Sequence, residues 1–401
     1  MDTEITQMTK EKIFLLAAGL VLYLLSAGLS YASFSYFQPG LGKSQTPQKE
    51  KAGQFKVPID KYAGLPRTES CPLNGTLYPK PMRDIWEKRR PLGIMVENSK
   101  AARPQSGLGQ ADVIYEAVAE GGITRLLAVY YCQDSETVGP VRSARTYFLD
   151  WISEYGEFPL YAHVGGANTP GPADALGQIE RYGWAGVNDL NQFSIGFPAF
   201  WRDYERLGKD TPTEHTVYSA TAKLWDFAAN KRQITDDWSK DFLTWTFKED
   251  VALADRPGAF SVQFALSSTK ASYSDDYTVS WKYDRDSNAY LRFNGGAAHQ
   301  DLNTGQQLLA KNVILVFMSM GVADDGYSED GHGLHTLYGT KGSGKTKFLF
   351  DGKVTDGTWA KKTRLDRTRF YDTNGGEIKF NRGQIWIEVL PQGLAVTLNA
   401  Q

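Results

Sequence analysis

GGITRLLAVYY, residues 121–131, is the stretch on which the fold turns. Its run from Leu126 to Tyr131 is uncharged, rich in β-formers and bounded by turns, which predicts a central strand. Upstream, PLGIMV (91–96) is a second short buried-strand run, followed by a Ser/Lys/Pro/Gly loop. Downstream, Tyr147, Phe148, Trp151 and Ile152 fall at helical spacing within 144–152, and 159–164 reads as another strand. Leu224, Trp225 and Ala228 form one stripe of an amphipathic helix over 221–231. Strands alternating with helices make residues 66–235 an α/β (α+β) domain.

Past about residue 236 the pattern changes. FLTWTF (242–247), FSVQF (260–264), VSWKY (279–283) and YLRF (290–293) alternate or are rich in β-formers. VILVF (313–317) and QIWIEV (384–389) add two more strands. Asp-rich or glycine-rich turns at 284–288 and 372–376 separate strand pairs. Residues 236–401 are therefore expected to form a mostly β domain.

The chain of 401 residues is long enough for two or three domains. Its 44 Lys and Arg against 46 Asp and Glu leave a net charge of −2, so charge provides no drive toward nucleic acid. Ordinary apolar content (41%) excludes wholesale disorder. Residues 13–36 carry no charge and reach the ~20 residues a membrane-spanning helix requires. Lys10 and Lys12 precede the run, which keeps residues 1–12 cytoplasmic and exports the remainder. Ser30-Tyr31-Ala32 offers a rival signal-peptide cleavage site, and both readings export the chain. Residues 37–65, polar and rich in Gln, Lys, Gly and Pro, read as a tether. The expected location is the cytoplasmic membrane, single-pass, with most of the chain outside. In that oxidising setting Cys71 and Cys132 either pair or stay as separately buried thiols.

Several spellings do not carry the chemistry they imitate. GTKGSGKT (339–346) satisfies the P-loop pattern, yet the strand-like KFLF follows where a helix is required. A Gly/Lys-rich connection between two strands accounts for it, and Lys341, Lys345 and Lys347 could still attract an anionic polymer. DRDSN (284–288) opens like a calcium loop but has Ala289 at the sixth place and Gly295 at the twelfth. His332, His335 and Asp330 lack a third well-placed ligand alongside the histidines, and His299 with Asp301 reads as a polar turn. No serine-hydrolase elbow is present. Glu116 and Glu120, four apart, suggest a solvated face.

The most informative constellation joins Glu116, Glu120 and Arg125 to GPVRSAR (139–145). Arg142 and Arg145 stand where a Gly-Pro turn enters the helix. Guanidinium forks beside free backbone N–H groups suit a phosphate or carboxylate. The competing account has these arginines pairing with Glu116 and Glu120. His163, closing LYAHVGG (160–166), joins Arg125, Arg142, Arg145, Glu116 and Glu120 as a candidate ligand-binding residue. No metal or other cofactor is expected.

RPLGIMVEN (90–98), ARPQSGL (102–108), ADVIYE (111–116), GGITRL (121–126) and GPVRSAR (139–145) resemble the YerB-like family of bacterial envelope proteins. NVILV (312–316), DGTW (356–359) and GQIWI (383–387) resemble that family's C-terminal part. The resemblance implies an anchored or lipid-modified exported protein of unestablished molecular function. This sequence carries an apolar helix where such relatives carry a lipid-bearing cysteine. Arg142, Arg145 and LYAHVGG are also similar in placement to LytR-CpsA-Psr phosphotransferases, which grip a polyprenyl pyrophosphate and hold Mg²⁺ through acidic residues. The Arg-Asp pair expected there is missing. The expected function is therefore binding of an anionic cell-wall glycopolymer or envelope partner. The alternatives are a Mg²⁺-dependent glycopolymer phosphotransferase and an envelope assembly scaffold.

Overall fold

The computed structural model describes residues 62–234, 242–265, 275–326 and 334–400. The expected membrane segment 13–36, its cytoplasmic flank and most of the tether lie outside the described residues. Among the described residues no helix is long and apolar enough to cross a membrane.

The first half contributes β1 (Leu92–Glu97), β2 (Val113–Glu120), β3 (Ile123–Tyr130), β4 (Leu160–His163) and β5 (Asp189–Asn191) to a large sheet. β6 (Phe260–Ala265), β7 (Thr278–Asp284) and β8 (Ala289–Asn294) belong to a smaller antiparallel sheet. The chain then returns to the large sheet with β9 (Asn312–Met318), β10 (Gly342–Phe350), β11 (Lys353–Lys361), β12 (Arg369–Asp372) and β13 (Ile385–Pro391). β14 (Thr397–Ala400) finally pairs with β6. The large sheet has ten strands in the order β12-β11-β10-β9-β13-β2-β3-β1-β4-β5.

Both faces of this sheet are covered, so its central strands are buried at nearly every position rather than alternating. β1, LGIMVE, is buried at every position. On β2 the side chains Val113, Tyr115 and Ala117 enter one core, with the helix α1 (Thr146–Ile152) supplying Tyr147, Phe148, Trp151 and Ile152. Ile114 and Val118 enter the other, shared with Val262, Val279 and Trp281 of the smaller sheet. Leu224, Trp225 and Ala228 of α3 (Thr221–Arg232) pack there too, as the amphipathic stripe requires. A short α2 (Ala175–Arg181) lies between, capped by Asp174, whose side chain accepts from the Gly177 amide.

The mixed α/β first half and mostly β second half thus match the sequence pattern, but residue 235 does not divide two cores. β13 of the second half lies parallel to β2 of the first, with Ile385 to Glu388 opposite Val113 to Glu116. The runs VILVF and IWIEV are buried on both faces and require neighbours on both edges. VILVF lies between β10 and β13, and IWIEV takes one neighbour from β2. Cys71 and Cys132 are bonded, tying the hairpin 67–79 to the chain just past β3.

Three local expectations change. Residues 113–120 form strand β2, and Glu116 is fully buried instead of solvated. Within GTKGSGKT only 339–341 form the connection, because Gly342 to Thr346 already belong to β10. That stretch pairs with β11, so no helix N-terminus exists there to hold a phosphate. Asp330 and His332 lie outside the described residues, while His335 is buried against Asp325 at 2.7 Å.

Candidate functional site at the carboxyl edge of the sheet

β1, β2, β4 and β5 run in one direction and end at Glu97, Glu120, His163 and Asn191. In open α/β sheets the carboxyl ends of such strands are where ligand crevices form. GPVRSAR crosses this edge. Its backbone is fixed by the Arg142 amide donating to Met95 O at 2.9 Å and the Ala144 amide donating to Gly165 O at 2.9 Å. Gly165 adopts φ +57, and a Cβ there would stand 3.0 Å from the Phe193 ring. Glycine is therefore required for the chain to turn beneath that ring.

The three arginines separate into two kinds. Arg125 and Arg145, with side chains 7% and 8% exposed, both pair with Glu120. Burial pushes the Glu120 carboxyl up, but the two guanidiniums overcome it and hold it at about 2. Arg125 also donates to Ser143 O at 3.1 Å. These two side chains build the edge. The Arg142 side chain is 28% exposed, and its Nε lies 2.8 Å from Glu97. Glu97 is itself buried and accepts from His215 Nδ1 at 2.9 Å. Burial raises its carboxyl, yet the His215 hydrogen bond and the Arg142 charge bring it below the ordinary value. Phe193, 75% exposed, stands over the Gly165 turn just past β5, and Phe197, 77% exposed, follows it in the chain.

His163 is fully buried, its Nε2 2.6 Å from Asp189 Oδ1 and its Nδ1 2.6 Å from Gly165 O. With both ring nitrogens engaged it positions the Gly165 turn and offers no free atom to a ligand.

Glu116 belongs to a different place. It projects from the opposite face of β2, beside Glu388 of β13 in direct register. Both carboxylates and Arg292 of β8 are fully buried, with Arg292 bonded to Glu116 and 3.8 Å from Glu388. Asn98 at 3.0 Å and Thr124 at 2.7 Å also donate to Glu116, and Trp281 Nε1 donates to Glu388 at 2.9 Å. Burial, then the neighbouring Glu116, push the Glu388 carboxyl well above its usual range. His299 lies alongside, 3.1 Å from Arg292 and 2.6 Å from Gln105, and its protonation is suppressed by burial and by Arg292. Asp301 instead accepts from the amides of Gly107 and Gly109. His299 and Asp301 are thus committed separately.

The residues the sequence reading missed are Glu97, His215, Asp189, Arg292 and Glu388. A signal existed for Glu97, a charge closing the otherwise apolar strand LGIMVE. For Arg292 and Glu388 there was none, since each sits in an alternating strand where an exposed charge is expected. Among the described residues one group has metal-ligand types within reach of one another, Cys71, Asp112 and Cys132, and its two sulfurs are bonded to each other.

Two family models match the chain. One, described as a protein of unknown function (DUF3048) N-terminal domain, covers residues 80–235. The other, the DUF3048 C-terminal domain, covers 269–387. A Bacillus subtilis (strain 168) protein named "Putative lipoprotein YerB" is 29% identical over 307 residues, 76% of this chain and 82% of the relative. The crystal structure of YerB protein from Bacillus subtilis aligns with a TM-score of 0.67 at 24% identity, over 83% of this chain and all of that one. At that identity the likeness concerns the fold.

Proposed function

The chain belongs to the YerB-like family of two-part DUF3048 proteins, and from that premise we propose an envelope protein, tethered at the outer face of the cytoplasmic membrane, that binds an anionic cell-wall glycopolymer. The observation that carries this reading is the contrast within the arginine cluster. Arg125 and Arg145 are spent on Glu120 in a nearly buried cluster, whereas Arg142, paired with Glu97, keeps 28% of its side chain exposed on the edge where β5 leads into the exposed Phe193. A partly exposed cation and an exposed aromatic ring on one edge suit a polymer alternating charged groups with sugar rings. The phosphotransferase alternative calls for carboxylates free to hold Mg²⁺, and near these arginines Glu97 and Glu120 are each committed to cations.

The test is a thermal-shift titration of the full-length chain in detergent with wall glycopolymer, with and without Mg²⁺. Ligand bound to the native state alone raises the melting temperature by mass action. A polymer-dependent shift lost in Arg142→Ala supports the reading. A shift that appears only with a polyprenyl phosphate and Mg²⁺ replaces it with the transferase, and silence with every polymer refutes it in favour of a protein partner.

A further inference from the structure

A cleft of about 510 Å³ opens between α1, α2 and the segment 337–341. That volume falls in the range of small-ligand sites, ~300–1,000 Å³. Its walls come from both halves of the chain and include the start of the GTKGSGKT stretch. Asp150 of α1 lies at its base, 8% exposed in its side chain. The Asp150 carboxylate accepts from Thr340 Oγ1 at 2.5 Å, Lys341 Nζ at 2.9 Å and Tyr182 OH at 2.8 Å. The amide of Gln178 approaches it at 3.4 Å. Four donors on one buried carboxylate leave it no capacity to attract a cation from solution.

The charge that the cleft shows to solvent is accordingly positive. Lys341 remains 52% exposed, and Arg181 is 62% exposed with its acidic neighbour Asp174 at 3.7 Å. Arg364 stacks over the Tyr182 ring at 3.9 Å. Polar walls, a tyrosine face and outward cations describe a receptor for a hydroxylated unit with one anionic group. We propose that this cleft seats one repeat of the polymer, a sugar or polyol bearing a phosphate or carboxylate. Arg181 and Lys341 contact the anion, while Thr340 Oγ1, its own proton given to Asp150, accepts from a hydroxyl of the sugar or polyol. This deepens the binding reading and rests on it, and it gives the GTKGSGKT stretch a role through Lys341 that its P-loop spelling does not provide.

The experiment uses the full-length chain in detergent with poly(glycerol phosphate), a hexuronate polymer and neutral dextran as probes. Arg181→Gln with Lys341→Gln is expected to weaken binding of the anionic probes by about tenfold or more. Lys353→Gln, exposed on β11 and outside the cleft, is expected to bind as wild type. In the unaltered protein, bound polymer should shield Lys341 from acetylation more than Lys353. A phosphate-only or carboxylate-only response identifies which anion the cleft takes, and either supports it. Wild-type affinity in the double variant with Lys341 unshielded overturns the cleft. If Arg142→Ala abolishes binding in that same series, the edge reading stands without it. Absence of any binding to the unaltered chain overturns both.

Discussion

Replacing Glu388 by glutamine should stabilise the protein by an amount that grows with pH. Glu388 and Glu116 lie side by side on parallel strands with one guanidinium, Arg292, to share. Arg292 is committed to Glu116, and burial together with that neighbouring carboxylate raises the Glu388 carboxyl well above its usual 4.5. The native state therefore holds a proton that the unfolded chain releases. For an acid with a raised folded pKa, the stability is fully present below the unfolded value and is lost as pH rises through the folded one. The slope is about 1.4 kcal/mol per pH unit wherever the native carboxyl stays protonated while the unfolded one is ionised. Glutamine keeps a carbonyl for Trp281 Nε1 and carries neither charge nor titration. Urea unfolding of wild type and Glu388→Gln at half-unit steps between about pH 5 and 8 should show the difference widening in favour of the variant at about that slope. Subtracting the two removes the contributions of all other carboxylates. A difference that is flat with pH, or a variant less stable at every pH, refutes the reasoning. Arg292→Met provides the opposite sign, a loss of about 3–5 kcal/mol, because Glu116 then stays buried without its cation.

Three further outcomes follow from the same geometry. Glu120, held at about 2 by Arg125 and Arg145, contributes about 3 kcal/mol above pH ~4.5 that is lost as pH falls toward 2; Glu120→Gln should remove that acid limb from a plot of unfolding free energy against pH. Arg145→Ala should cost about 3 kcal/mol by leaving Glu120, 14% exposed in its side chain, with one partner, read from matched thermal melts of variant and wild type. Opening the Cys71–Cys132 bond, which spans 61 residues, should cost about 4 kcal/mol on the loop-entropy estimate, read as the shift in urea midpoint after mild reduction.

The parts of this fold that the sequence discloses are those decided by local apolar pattern. LLAVYY, LGIMV, VILVF and IWIEV are long enough and apolar enough to be internal strands wherever they pair. What the pattern does not carry is the pairing. The register that sets Glu388 against Glu116 is a long-range fact, and each glutamate alone resembles the polar member of a half-exposed strand. The misreading of Glu116 and Glu120 as one solvated face has a specific cause. Four residues apart, they fit a helix turn, and in a regular strand they would also share a face. The structure breaks that alternation with a register shift between Val118 and Glu120. Glu116 consequently serves Arg292 on one side of the sheet, while Glu120 serves Arg125 and Arg145 on the other. Arg142 could be singled out from its Gly-Pro turn, but its exposure relative to Arg145 depends on which acid folds beneath it.

That separation of faces bears on why the two family models end and begin where they do while the sheet runs across the gap. The recognisable blocks of the first half end before residue 236, yet they leave β2 with no strand on one flank and Glu116 with no cation. The second half provides both, the flank through β13 and the cation through Arg292 of β8. It also receives something in return, since Lys341 and Thr340 are held by Asp150 of α1. Each half thus supplies the counter-charge for a buried or nearly buried acid of the other, or that acid itself. A charge buried without its partner costs several kcal/mol. The apolar seam between β2 and β13 would tolerate a slip in register by one strand step only by turning these acids into the wrong core. The paired acids therefore fix the register along which the two sequence units join, and with it the relative placement of Arg142 and the cleft beside Lys341.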